Sequence, residues 1–317
     1  MGKNNKNLLV LMGFSCNNNC LMCSVKGKDE FFPDRSYHDL VGELKRGREE
    51  GFSLVEFTGG EVTIRRDVVN LVSAAKKLGY QKIALSTNGR LFSYDKFCQQ
   101  IIDAGLNKVT FSLLGADKKT HEALTRTPGS FDEIITGIKN VQSFPDIHLN
   151  ISSVVSRLNY KPIKKFGYFV QSLGVKHWYL LDLIPDNNAK KFYNVLVVRL
   201  LELSRELNNL NELAPEFNEF GFFDFPFCLF SSAMRKRQNI CLVNAKARIE
   251  TSQQVGYASK RIEIDEEGKY NDVYRQNVDI CRRCQYDKEC GGIWRNYLER
   301  YGDAEVKKLA IKHGCLD

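Results

Sequence analysis

Cys16, Cys20 and Cys23 stand within eight residues, in the stretch FSCNNNCLMCSVKG, separated by three residues and then by two. Thiolates are soft ligands that select zinc, copper(I) or iron–sulfur clusters. A structural zinc site wants four ligands, usually in two pairs, whereas three cysteines in one loop leave a coordination position open. On a four-iron cluster, one iron is then without a protein ligand and free to bind something else. A second group, Cys281, Cys284 and Cys290 in DICRRCQYDKECGGIW, has spacings of two and five residues that suit zinc or a cluster. Its fourth ligand would be Cys228 in FPFCLF or Cys241 in QNICLVN. Cys228 is favoured, because Pro226 and the surrounding aromatics would hold it in a fixed, water-poor turn; if neither ligates, the cluster has an open iron facing the substrate. Cys98, next to Phe97, reads as a buried apolar side chain, and Cys315 carries no signal.

The first triplet follows a short apolar run, LLVLM (8–12), and such runs recur: 54–58, 82–87, 108–113, 147–155 and 177–183. Amphipathic helical patterns over 37–51, 67–79, 94–105, 130–143 and 160–174 lie between them, and four of the five end at a glycine, as helix C-termini often do. Six strands alternating with helices imply right-handed βαβ units and a parallel sheet, open or rolled into a barrel. Ligands then gather at the carboxyl ends of the strands. After Pro185 the pattern changes to one long helix, AKKFYNVLVVRLLELSRELNNL, then the phenylalanine-dense 217–230, which reads as core packing, and then loops and short strands. The run Arg235 to Arg237 reads as a solvated basic face.

Polar residues fall where that sheet would present them. FTGGEVT follows the second run, and two adjacent glycines allow close backbone approach to a ligand while a carboxylate accepts from an ammonium group. Ser86 and Asn88 follow the third run, Ser112 ends the fourth, and Arg126 precedes a Pro-Gly break.

The cysteine spacing at the end of a first strand resembles the signature of the radical S-adenosylmethionine (radical SAM) superfamily. The residue before the third cysteine is usually aromatic there; here it is Met22, whose thioether can still cover an adenine face. The resemblance implies a [4Fe-4S] cluster on Cys16, Cys20 and Cys23. It implies that Gly59, Gly60 and Glu61 hold the amino group of SAM, that Ser86, Asn88 and Ser112 contact its ribose and carboxylate, and that Arg126 pairs with the carboxylate. The rear cysteines resemble the twitch and SPASM extensions, which hold auxiliary clusters. The further cysteine expected shortly after Cys290 is missing, and Trp294 lies in that region, so one auxiliary [4Fe-4S] cluster is implied, with Cys228, Cys281, Cys284 and Cys290 as ligands.

The fold implied is α/β, a partial (β/α)6 TIM-like barrel over residues 1–186, with a loop-rich twitch/SPASM-like extension over 187–317. The activity implied is reductive cleavage of SAM to a 5′-deoxyadenosyl radical that abstracts a hydrogen atom from the substrate. A ribosomally made peptide is the expected substrate, modified by thioether or carbon–carbon crosslinking or by epimerisation; a small-molecule step in cofactor or nucleoside biosynthesis is the alternative. Partners implied are an electron donor such as flavodoxin or ferredoxin and a separate peptide-recognition protein, since only about seven residues precede the first strand. From a different class, two cysteine clusters and a net charge of +8 also fit a zinc-stabilised nucleic-acid-binding protein. With 317 residues, 43% of them apolar, the chain can bury a large core. It has neither a signal-peptide pattern nor a run of about 20 apolar residues, so a cytoplasmic protein off the membrane is expected, in which ten cysteines favour metal ligation over disulfides.

Overall fold

The computed structural model describes residues 7–243, 252–255 and 274–316. Strands β1 (Asn7–Leu11), β2 (Leu54–Thr58), β3 (Lys82–Thr87), β4 (Lys108–Ser112), β5 (His148–Val154) and β6 (His177–Leu181) form one parallel sheet in sequence order. Helices α1 (Tyr37–Glu49), α2 (Val68–Lys77), α3 (Asp95–Asp103), α4 (Lys118–Thr125), α5 (Ser130–Gln142) and α6 (Ile163–Ser172) connect them. Alternate strand residues are buried: Leu8, Val10, Val55, Phe57, Val109, Phe111, Trp178 and Leu180 are each no more than 1% exposed and belong to the hydrophobic core. Each such side chain contributes about 1.5–3 kcal/mol of transfer free energy, so this face fixes the register of the sheet.

The opposite face is polar and concave. Tyr179 on β6 is pushed up by burial, then by Glu219, and also feels Cys241 and Glu56. Glu56 lies on β2, four strand spacings away, about 19 Å along a flat sheet. The two can influence each other only if the sheet curls into a half-barrel with both side chains inside.

The sheet does not stop at residue 186. Strands β7 (Glu219–Phe223) and β8 (Ile240–Val243) extend it beyond β6, and β9 (Ser252–Val255) pairs parallel with β1 at the other edge, giving nine strands. The phenylalanine-rich stretch thus supplies a strand, and Phe220, Phe222, Phe225 and Phe230 are buried as core packing. The long helix expected over 189–210 is broken into Asn187–Lys191 (α7), Tyr193–Leu196 and Leu200–Asn208. Val197 and Arg199 are extended between the last two, where the β-branched run Val195, Val197, Val198 disfavours helix. Among the described residues no helix is long and apolar enough to cross a membrane.

Candidate active site at the strand ends

After β1 the chain runs as an extended segment beside the turn that follows β2. Gly60 N donates to Gly13 O (2.8 Å) and Glu61 N to Ser15 O (2.8 Å). A Cβ on Gly59 would lie 2.3 Å from Gly13 O, and one on Gly60 2.2 Å from Ser15 O. The close approach that the paired glycines permit is therefore to the protein's own cysteine loop. Glu61 is 3% exposed, and its carboxylate is heavily engaged. Oε1 accepts from Thr63 N, Thr63 Oγ1 and Thr87 Oγ1 (3.0, 2.6 and 2.6 Å), and Oε2 accepts from Asn88 N (2.7 Å). A carboxylate has about four lone-pair sites, two on each oxygen, so Oε2 keeps capacity for one further donor such as an ammonium group.

The cysteine loop is gripped on both flanks. Asn19 N donates to Thr125 O (3.1 Å) and Leu21 N to Leu124 O (2.9 Å), so the loop satisfies carbonyls at the C-terminal end of α4. On the other side Asn188 Nδ2 donates to Cys20 O (3.0 Å) and Asn187 Nδ2 to Ser24 O (2.5 Å), tying α7 to the loop. Burial raises the Cys16 thiol to about 11, with Glu61 and Cys23 adding to it. Burial raises Cys20 to about 12, followed by the charges of Cys23 and Cys16. The three thiols thus share one neighbourhood. Cys16 and Cys20 are protonated at neutral pH until a metal displaces the protons. Among the described residues no three His, Cys, Asp or Glu side chains converge as a single ion requires. The donor set fits a cluster, whose irons each take one thiolate.

The remaining expected contacts are placed as follows. Asn88 donates Nδ2 to Asn17 Oδ1 (2.7 Å) and accepts from Arg90 N (3.1 Å), so it braces the cysteine loop. Ser86 donates to Glu56 Oε1 (2.5 Å) inside the barrel. Ser112 ends β4 half-buried, in register with Ser152. Met22 is 6% exposed and packs into the core. Arg126 caps α4 in the left-handed region (φ 54°) and is exposed, its guanidinium 5.7 Å from the Phe192 ring centre.

The rear cysteines form a second neighbourhood. Cys228, in the turn after β7, is buried, and burial raises its thiol well above the usual range, followed by the charges of Cys290, Cys315, Cys281 and Cys284. Cys228, Cys281, Cys284 and Cys290 line one small cavity with Gly292 and Ile293. Cys241 lies elsewhere, on β8 in register with Gly221 and beside Glu219 in the barrel interior. Cys315 joins the rear group because the C-terminal tail docks there: Gln285 N donates to Cys315 O (3.0 Å), and Cys284 bridges to Leu316. Arg235 is no solvated cation. It donates to Phe230 O, His313 O (2.6 Å) and Cys315 Sγ (3.4 Å), and it lies over the Tyr286 ring.

Asp182 follows β6 directly. Trp294 Nε1 donates to its Oδ2 (2.7 Å), and Arg275 lies 3.6 Å over the Trp294 ring. Burial raises Asp182 to about 6, with Arg275 opposing. Asp182, Tyr193, Leu196, Trp294 and Tyr297 line an adjoining cavity at the ends of β5 and β6.

A sequence model described as the radical SAM superfamily matches residues 10–166, the span from β1 to α6 that carries the first three cysteines. Residues 10–166 are a radical SAM domain. The chain is 31% identical over 189 residues to a probable GTP 3′,8-cyclase of Saccharolobus solfataricus, a match covering 60% of each chain. The chain thus spans about 60% of the length of the curated relatives it matches. Its fold is similar to that of anSMEcpe with bound AdoMet and Cp18Cys peptide (TM-score 0.64, 15% identity, 97% of this chain and 96% of that one). It is also similar to Streptococcus suis SuiB bound to precursor peptide SuiA (TM-score 0.63, 15% identity, 93% and 73%).

The radical SAM superfamily uses a [4Fe-4S] cluster and SAM, and with this domain present the reading as a zinc-stabilised nucleic-acid-binding protein falls. Two features of the cysteine neighbourhoods have no signal in the sequence spacing. Cys315 reaches the rear thiols only through docking of the tail. Arg90 and Asn18, which brace the cysteine loop, are ordinary polar residues until β3 and the loop are folded together.

Proposed function

We propose that Cys16, Cys20 and Cys23 hold the SAM-binding cluster and that the protein modifies a ribosomally made peptide. When bound, the cluster and SAM supply a 5′-deoxyadenosyl radical able to take a hydrogen atom from an unactivated C–H bond. The chain's own part is to bind and to exclude water. Glu61 Oε2 receives the ammonium group of SAM, with the Gly59–Gly60 backbone alongside. Ser86, Asn88 and Ser112 stand towards its ribose and carboxylate, Arg126 pairs with the carboxylate, and Met22 underlies the adenine. The rear thiols Cys228, Cys281, Cys284 and Cys290, with Cys315 beside them, hold an auxiliary [4Fe-4S] cluster in a twitch/SPASM-like region spanning 187–317. A flavodoxin or ferredoxin supplies electrons in the cytoplasm, and a separate protein presents the peptide.

The observation that carries the peptide reading is the gathering of five thiols behind the barrel mouth, in a chain whose whole length follows the fold of an enzyme solved with a peptide. A second reading, a nucleotide or other small molecule, is favoured by the sequence match to a probable GTP 3′,8-cyclase. Cys20→Ala is expected to abolish 5′-deoxyadenosine formation from SAM; normal formation would refute the cluster assignment. To separate the substrates, 5′-deoxyadenosine release is compared with GTP and with peptides encoded beside the gene. Stimulation with a mass change in a peptide supports the first reading, and stimulation by GTP alone overturns it.

A further inference from the structure

We propose that Arg235 is the counter-charge of the rear cysteine site: it fastens the C-terminal tail against the thiols and makes the group they hold easier to reduce. The inference rests on the reading that these cysteines hold an auxiliary cluster. Arg235 ends the short helix Ser232–Arg235 and joins three segments of that site. Its Nη1 donates to Phe230 O, two residues after Cys228, and to Cys315 Sγ at 3.4 Å. Its Nη2 donates to His313 O (2.6 Å) and Gly314 O (3.4 Å). The guanidinium lies 4.9 Å from the ring centre of Tyr286, which stands between Cys284 and Cys290 in the chain. His313 Nδ1 donates to Cys228 O (2.8 Å), so the turn and the tail close on each other.

These partners are carbonyl oxygens, a thiol and an aromatic ring. Among the described residues no carboxylate pairs with Arg235, and its Nε is buried without a partner. A guanidinium is always charged, and a charge withdrawn from water is costly unless an opposite charge lies beside it. Asp287, which lines the rear cavity, is engaged instead by Asn277 Nδ2 (2.7 Å). The negative charge that Arg235 lacks arrives when the thiols give up their protons to a metal group. Net charge and hydrogen bonds to the sulfurs both set a cluster's potential, and reduction adds one negative charge. A cation donating at Cys315 Sγ therefore favours the reduced state. Arg282 and Arg283, next to Cys281, are exposed, where solvent and salt screen them.

The test is an anaerobic redox titration of the reconstituted full chain without substrate, following by EPR the cluster signal that does not change when SAM is added. Arg235→Gln keeps a donor and removes the charge; Arg235→Lys keeps the charge. A hydrogen bond to a charged group is worth about a factor of ten or more in an equilibrium constant. Arg235→Gln is expected to lower the reduced-to-oxidised ratio at fixed potential about tenfold, about 59 mV for one electron, while Arg235→Lys stays closer to wild type. Loss of the rear cluster from Arg235→Gln alone, with Arg235→Lys loaded, supports the counter-charge equally. An unchanged midpoint in Arg235→Gln with its cluster loaded overturns the inference. Equal shifts in the two variants, or loss of the rear cluster from both, overturn it too, and leave Arg235 only a brace for the tail. A wild-type protein whose iron and EPR signal belong entirely to the SAM-responsive cluster sinks the auxiliary-cluster reading instead, so the two failures are distinct.

Discussion

Gly60→Ala tests whether the turn after β2 serves first to hold the cysteine loop. Gly60 does not have a positive φ, so alanine can adopt its backbone conformation without strain, and the whole effect comes from contact. The added methyl group would lie 2.2 Å from Ser15 O, 2.5 Å from Phe14 C and 2.6 Å from Phe14 O. A carbon–oxygen contact is comfortable only beyond about 3.3 Å, so the two segments must part by about 1 Å. All three obstructing atoms are backbone, and no side chain can rotate away. If the segments separate, two hydrogen bonds at 2.8 Å weaken, from Gly60 N to Gly13 O and from Glu61 N to Ser15 O. With about 0.5–1.5 kcal/mol for each and about 1–3 for overpacking, the expected loss is about 2–6 kcal/mol. If the loop yields instead, stability is spared but the thiols move, and a 1 Å misplacement can cost about 100-fold in rate. Urea unfolding and the rate of 5′-deoxyadenosine formation are measured together, with Gly42→Ala as the control. Gly42 in α1 has only Arg46 Nη1 at 3.6 Å from its built Cβ, so that variant should gain about 0.5–1 kcal/mol. A Gly60→Ala protein with both the unfolding midpoint and the rate of wild type would refute the argument.

Two further outcomes are expected. Cys284→Ala should lose about half the iron while the SAM-responsive cluster survives, because its ligands are separate, and Cys241→Ser, on β8 inside the barrel, should keep full iron content; equal loss in both would remove the rear site as described. His121 is 1% exposed, accepts from Leu114 N at 3.2 Å, and burial lowers it to about 4. Between about pH 6.5 and 4 the unfolded chain therefore binds a proton that the folded one does not, and stability should fall with acid by up to about 3 kcal/mol. Asp182, raised to about 6, acts in the opposite sense, since its folded form holds a proton that the unfolded one releases as pH rises from about 4 to 6. Comparing wild type with His121→Gln by urea unfolding at pH 7 and pH 5 cancels the Asp182 contribution; equal pH dependence in the two proteins would contradict the assignment.

The strands of the first half were legible because each alternates apolar and polar residues or is bounded by turn residues. The strands over 54–58 and 82–87 match the structure residue for residue, and α1, α2, α3 and α6 are each followed by a glycine at positive φ. The sequence pattern failed where tertiary context overrides it. α4 is only eight residues long and has a short apolar face, and β7 lies in a run of phenylalanines without alternation. The helical period over 189–210 continues through Val197–Arg199, where the backbone turns extended. At the site, residues tied by chain spacing were visible and those tied by docking were not. Cys16, Cys20 and Cys23 announce themselves, whereas Cys315 meets Cys284 only because the tail pairs with it.

The same contrast changes what the polar residues at the strand ends are for. Gly59, Gly60, Glu61 and Asn88 were expected to contact a ligand, yet each is already engaged with the protein. Glu61 joins the turns after β2 and β3, Asn88 and Arg90 carry that junction to Asn17 and Asn18, and the glycines let Gly13–Ser15 lie against it. The ordering entropy of the cysteine loop, about 1–2 kcal/mol for each backbone residue fixed, is therefore met when the chain folds and not when SAM binds. A loop ordered in advance leaves more of the interaction energy for holding SAM in one geometry. It follows that substitutions at Arg90 should weaken SAM binding without touching SAM, because its removal leaves Asn17 O and Asn18 Oδ1 unsupported.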